Sequence, residues 1–278
     1  MRRLGYLQHV LIGGTAALLV GAAVVPGGAE PGPVVSAATA YARGETSTPD
    51  VVGAVRARAA ARSEAETALE ALSAAVRATS HPRALEDAFR SYFAYRTANP
   101  EKVRKPFLYF VDYGLPSTTP RGYVFDMEAL TVVDGPFMVA HGRGSATTAS
   151  GIPQRFSNVM GSAATSLGLY VAQELYDFRG KSAGVAYRST GLRLMGVSRG
   201  FNDNARARGV VAHGAPYVTA SRAGRSEGCP AVEQERAEQL LPKLANGGMV
   251  FLFAPDQGWM SSDPWIAAAQ AAAASLAG

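Results

Sequence analysis

Apolar positions along the chain change period twice. Between residues 51 and 79 the sequence is rich in Ala, Arg and Glu with no glycine after Gly53, a composition that favours helix. A second helix is predicted from near Pro82. There Leu85, Ala88, Phe89, Tyr92 and Phe93 recur at i, i+3, i+4, i+7 and i+8, forming one apolar stripe that reads as the surface packing against the next part of the chain. Asn99-Pro100 ends that helix. From Phe107 the period shortens. Apolar runs at 107–111, 123–125, 130–133, 137–140, 167–171, 192–197, 210–213 and 249–253 alternate with Gly, Pro and Ser clusters. That spacing predicts a mainly antiparallel β domain of about 150 residues, enough for one core. One helix interrupts it, predicted to start directly after Pro230, to run to about Leu244 and to close at Asn246-Gly247-Gly248. The fold class expected is mainly β with flanking helices, preceded by an N-terminal helical segment.

The two ends read differently. Arg2 and Arg3 precede an apolar run over 10–25, and Gly27 and Ala29 offer a small-x-small cleavage site, the pattern of an export leader. The run is shorter than the roughly 20 residues a spanning helix needs. Residues 30–50 are rich in Pro, Gly, Ala, Ser and Thr and read as a flexible tether. The organisation expected is a leader at 1–29, a tether at 30–50, a helical segment at 51–102, a catalytic domain at 103–260 and an Ala-rich helix at 261–278. In that last helix Asp263 is the expected cap, with Pro264 at the first position. The protein is expected outside the cytoplasmic membrane, in the periplasm or cell envelope, without a stable membrane anchor once the leader is removed. Net charge is +5, and +3 when Arg2 and Arg3 leave with the leader, too weak and dispersed for a nucleic-acid partner.

Composition sharpens the picture at one residue. Cys229 is the only cysteine among 278 residues, so an internal disulfide is excluded and the thiol reads as functional. A helix starting at Pro230 would set the sulfur beside unpaired N–H groups that favour thiolate. His213 lies 16 residues upstream, at the end of a run that puts it on one face with Val211. Together they suggest a nucleophile with its general base and acid. Gly228 would allow the close backbone approach of an oxyanion hole, built from the N–H groups of Gly228 and Cys229.

Around this pair several residues are substrate-binding candidates. Arg225 could clamp a carboxylate or meet an acidic neighbour, Ser226 could hydrogen-bond across the loop, and Tyr217 lies within the same loop. His141, ending another apolar run in Val139-Ala140-His141-Gly142-Arg143-Gly144, could line the same cleft, although a lone histidine there is more often structural. No metal and no cofactor is expected. Three histidines remain after the leader, none at i, i+4 spacing with a glutamate, and no dinucleotide or serine-hydrolase motif is present.

His213 followed by Ser226-Glu227-Gly228-Cys229 resembles the His…Ser-x-Gly-Cys signature of the murein L,D-transpeptidase catalytic domain family. The likeness extends to residues 139–144, 156–158, 166–170, 200–205 and 224–231, and so from about 107 to 254. The resemblance implies an L,D-transpeptidase-like fold, Cys229 as nucleophile, His213 as base and acid, and Gly228 with Cys229 as oxyanion hole. It implies a peptidoglycan stem peptide as partner, attacked at the L-centre carbonyl of a diamino acid with release of terminal D-Ala. It also implies carbapenem acylation of the thiol. The acyl group would pass to an amine, making a cross-link, or to water, as in an L,D-carboxypeptidase or wall-peptide hydrolase. One departure stands out: Glu227 occupies a position that is histidine in the best-known members. A carboxylate turned inward would disfavour thiolate or grip an acceptor's ammonium group. It is also the one feature that favours a different class, a non-catalytic wall-binding protein.

Overall fold

The structure, a computed structural model, describes residues 51–268. The expected leader at 1–29, the tether at 30–50 and the part of the terminal helix beyond 268 lie outside the described residues. Two helices come first, α1 (Val51–Leu72) and α2 (Ala84–Ala98), and they pack on each other. Ala61, Ala65, Ala68 and Leu72 form the buried side of α1. All five residues of the predicted stripe on α2 are buried, and Phe89 meets Phe125 edge-on at 5.3 Å. The stripe is therefore the contact with the sheet.

The strands of the main sheet are β1 (Phe107–Asp112), β2 (Gly122–Asp126), β3 (Thr131–Phe137), β5 (Gly168–Ser182), β6 (Val185–Gly196), β7 (Val211–Gly214), β11 (Ala231–Val232) and β12 (Met249–Phe253). They lie in the order β11-β7-β6-β5-β12-β1-β2-β3. Two small sheets join β4 (His141–Gly142) to β10 (Arg225–Ser226), and β8 (Val218–Thr219) to β9 (Arg222–Ala223). Most pairs are antiparallel, as expected. The parallel ones are β1 with β12, β7 with β11 and β4 with β10. β12 is buried along its whole length and β1 along nearly all of it, so both faces of the sheet centre are covered.

Two differences from the sequence reading bear on the site. The runs at 167–171 and 192–197 are the inner ends of a long ribbon, β5 with β6, which extends to a two-residue turn at Ala183-Gly184. Both turn residues have positive φ, 48° and 82°, as a tight hairpin requires. The outer half alternates aromatic with charged residues, so no apolar run announces it. The second difference is a correction. α3 spans Gln234–Leu244 with Glu233 as its N-cap, and does not begin after Pro230. Ala231 and Val232 instead form β11 beside β7, where both are buried. Completing the sheet edge satisfies their backbone and their side chains together. α3 then lays Ala237, Leu240, Leu241 and Leu244 against β6 and β7. A short helix, α4 (Gln257–Ser262), precedes the terminal turn. There Asp263 caps as expected, accepting from the N–H groups of Trp265 (2.9 Å) and Ile266 (3.4 Å). No described helix is long and apolar enough to cross a membrane.

Candidate active site

His213 sits inside β7, flanked by Gly191 of β6 and Ala231 of β11. The loop from Gly214 to Gly228 is not loose. It forms the β8–β9 hairpin, then pairs β10 with β4, and returns through the Gly228-Cys229 turn to β11. Cys229 precedes Ala231, the residue opposite His213, by two residues. Cys229 itself lies in the turn before β11, and only Ala231 and Val232 pair with β7.

The imidazole is 2% exposed, and Nδ1–H donates to Gly214 O at 2.9 Å. A carbonyl only accepts, so this bond leaves the lone pair on Nε2. Burial holds the ring neutral, lowering its pKa to about 4 against a smaller upward pull from the Gly214 bond. Phe178 of β5 lies on the ring face, with centroids 3.9 Å apart and planes within 14°.

The thiol is 9% exposed and points its weak donor at Gly209 O, 3.9 Å away, rather than at the imidazole. Burial pushes its pKa up to about 11; a backbone bond from Val211 and the charge of Arg208 pull down, and Glu227 adds a small upward push. This overturns the expectation of a thiolate eased by a helix terminus. Four residues lie between Cys229 and Gln234, where α3 starts, so the thiol is not at the helix terminus. Burial raises the pKa values of Tyr113, Tyr170, Tyr176, Tyr187 and Tyr217, and a charge on the sulfur would raise them further.

Ser226 and Gly228 build the turn. The buried Ser226 Oγ accepts from Gly228 N–H at 3.1 Å and donates to Cys229 O at 2.7 Å. Ser226 therefore shapes the turn rather than meeting a substrate, and Gly228 N–H is engaged. Cys229 N–H has no partner among the described residues. Gly228 has φ 120°, and a Cβ there would stand 2.8 Å from Ala164 O. Gly142 on β4 interlocks with it, since a Cβ on Gly142 would stand 2.8 Å from Gly228 Cα.

The remaining candidates separate. His141 is fully buried, and its Nδ1 faces Arg121 Nη2 at 3.1 Å; burial and the Arg121 charge lower its pKa to about 4. Arg121 is itself buried, holds Val139 O and Leu115 O, and stacks over Tyr113. His141 thus belongs to the scaffold under β4, a correction to the cleft-lining expectation: Arg121 needs an acceptor where no water reaches. Arg225 is exposed and donates to Ala146 O and Thr147 O, not to a carboxylate. Glu227 turns outward and pairs with Arg143 at 2.6 Å, with both side chains mostly exposed. Tyr217 is half-buried, edge-on to Tyr187 at 6.5 Å.

Sequence reasoning missed three participants. Phe178 falls in the polar half of the ribbon, where the alternation Tyr176-x-Phe178 was the available signal. Gly214 acts through its carbonyl, which no residue type announces. Arg208 stands in Ala-Arg-Ala-Arg-Gly, a run without any motif.

A model of the L,D-transpeptidase catalytic domain matches residues 77–253, so the matched segment takes in α2 as well as the sheet. Among solved structures, an L,D-transpeptidase from Mycobacterium smegmatis is similar at 15% identity and a TM-score of 0.32. That likeness covers 54% of this chain and 59% of the other. No curated protein matches. The family match spans well over half of the 278 residues, and with it this chain belongs to the L,D-transpeptidase catalytic domain family.

Proposed function

We propose that this protein is an exported acyltransferase that remodels peptidoglycan stem peptides through a thioester on Cys229. Membership of the family supports the reaction class. The observation that supports the assignment to residues is the imidazole of His213, buried, neutral, and held by Gly214 O in the tautomer with a free Nε2, on the strand that pairs with β11 just after the Cys229 turn.

The steps follow from that arrangement. Rotation about Cα–Cβ of Cys229 turns the thiol from Gly209 O toward Nε2, which takes the proton. The sulfur attacks the carbonyl carbon at the L-centre of the diamino acid. Cys229 N–H is the first donor to the oxyanion, and Gly228 N–H joins it when the Ser226 hydroxyl lets go. The carbon–nitrogen bond to the terminal D-Ala breaks, and His213 returns the proton to the leaving amine. An acceptor amine then attacks the thioester, His213 takes its proton, and the thiol is regenerated as the cross-link forms. Water in place of the amine gives a trimmed peptide, so hydrolysis is a second outcome of the same intermediate.

A wall-binding protein without turnover is a second reading, favoured by one observation: a thiol 9% exposed with its pKa raised to about 11. Incubation with purified muropeptides, with product masses compared between the parent and Cys229→Ala, tests both. A 3→3 dimer from the parent supports transpeptidation and a shortened monomer supports hydrolysis. No product, together with no carbapenem adduct on Cys229, leaves the wall-binding reading.

A further inference from the structure

Arg208 is half-buried beside the nucleophile, and no carboxylate pairs with it among the described residues. Its four terminal N–H groups are all used. Nη1 donates to Ser157 O (2.6 Å) and Ser166 Oγ (3.2 Å), and Nη2 to Ala164 O (2.7 Å) and Ser162 Oγ (3.1 Å). The guanidinium thus grips the 157–166 loop by both ends. Ala164 O is also the atom that a Cβ on Gly228 would meet first, and after the carbonyl carbon of Ala164 the nearest atom is Arg208 Nη2 at 3.6 Å. The charge therefore stands directly behind the Gly228-Cys229 turn. The following residue, Gly209, supplies the carbonyl that the thiol now faces.

The stretch carrying Arg208 is itself fixed. Asn158 donates to Asp203 at 2.7 Å, and Asn204 N–H and Nδ2 return bonds to Asn158. Two of the sequence blocks that resemble the family, 156–158 and 200–205, are in this way one support. A fixed guanidinium, half out of water and lacking a carboxylate, is suited to a negative charge that exists only during reaction. Its four bonds leave it no fork for a substrate carboxylate.

We propose that Arg208 is the positioning residue of this site, clamping the 157–166 loop onto Gly228 and stabilising negative charge on the Cys229 thiolate and on the tetrahedral intermediate it forms. The inference rests on Cys229 as nucleophile. The ionic groups whose charge reaches the sulfur are Arg208 and Glu227, the latter drawn outward by Arg143. His213 is neutral, and burial raises the pKa values of all five tyrosines.

Arg208→Gln and Arg208→Lys separate charge from clamp. The measurement is the pH dependence of Cys229 alkylation by iodoacetamide, beside the rate of acyl-enzyme formation by mass, with circular dichroism as the check on folding. The glutamine variant is expected to shift the alkylation profile upward by about one pH unit, a roughly tenfold slower reaction on the rising limb. The lysine variant keeps the charge and so the profile, but acylates about tenfold more slowly because an ammonium cannot bridge four acceptors. A glutamine profile that superimposes on the parent's overturns the proposal. So does a lysine variant that acylates at the parental rate, and that arm stands even if the glutamine variant does not fold. If no parent acyl-enzyme forms while the alkylation shift is present, the proposed function fails and the electrostatic role of Arg208 survives.

Discussion

Phe178 and His213 lie face to face, 3.9 Å between centroids, although they stand on β5 and β7 with the whole of β6 between them in the chain. The contact comes from the outer half of the β5–β6 ribbon folding its aromatic side, Tyr176, Phe178 and Tyr187, over β7. Glycines opposite make room: Gly191 pairs with Tyr176 and Gly180 with Tyr187. The roof excludes water from the imidazole, and exclusion of water keeps it neutral.

Removing the roof is the first prediction. Phe178→Ala should raise the pKa of His213 from about 4 toward the ordinary value near 6.5, because the charged ring regains hydration. The histidine resonances in an NMR titration report it. Phe178 is half-buried, so the stability cost should fall below the roughly 3–5 kcal/mol of a fully buried Phe→Ala.

Acid should weaken the fold earlier than carboxylate protonation alone. His213 and His141 have folded-state pKa values near 4, below the unfolded value of 6.5. Between those limits the unfolded chain binds protons that the native protein refuses. Stability is full above about pH 6.5 and falls as pH drops toward 4, by about 3 kcal/mol for His213. Buried Asp87 and Asp112, whose pKa values are raised by burial, work in the opposite sense as they protonate. Urea midpoints at pH 7 and pH 5 measure the loss, and His141→Gln should flatten the difference. An equal slope in that variant would mean that His141 does not contribute.

Gly142 and Gly228 should fail together. A methyl on either enters backbone of the 163–165 segment or of the other glycine, and Gly228 adds a positive φ. Each change to alanine should cost about 1–3 kcal/mol and displace the motif turn. Melting temperature gives the first effect. Loss of carbapenem labelling at Cys229 in a folded variant gives the second, and a labelled Gly228→Ala at parental rate would refute the need for glycine.

Glu227→Gln should leave melting unchanged, because its bond to Arg143 is exposed and surface pairs contribute little. The informative readout is chemical. The ammonium grip is expected of a carboxylate turned inward, and Glu227 turns outward to Arg143, so acyl-enzyme and cross-link formation should both stay near parental rates. A loss confined to cross-linking would show that Glu227 turns in to meet the acceptor.

What the sequence by itself determined was local and periodic. The stripe on α2, the core strands and the capping of the last turn by Asp263 all follow from spacing and side-chain chemistry within a few residues. The lone cysteine and the histidine 16 residues before it could be proposed as a pair for the same reason, since the chain between them is short. Tertiary structure decided what surrounds them. Pro230 reads as a helix start, but β7 offered Ala231 and Val232 a strand partner, so the sulfur lost its helix terminus and took burial instead. Phe178 reached His213, and Arg208 reached the back of Gly228, only when separate strands and loops were brought side by side. A pKa, a tautomer or a glycine's necessity depends on which atoms exclude water or occupy space nearby, and those neighbours come from residues that no local pattern connects.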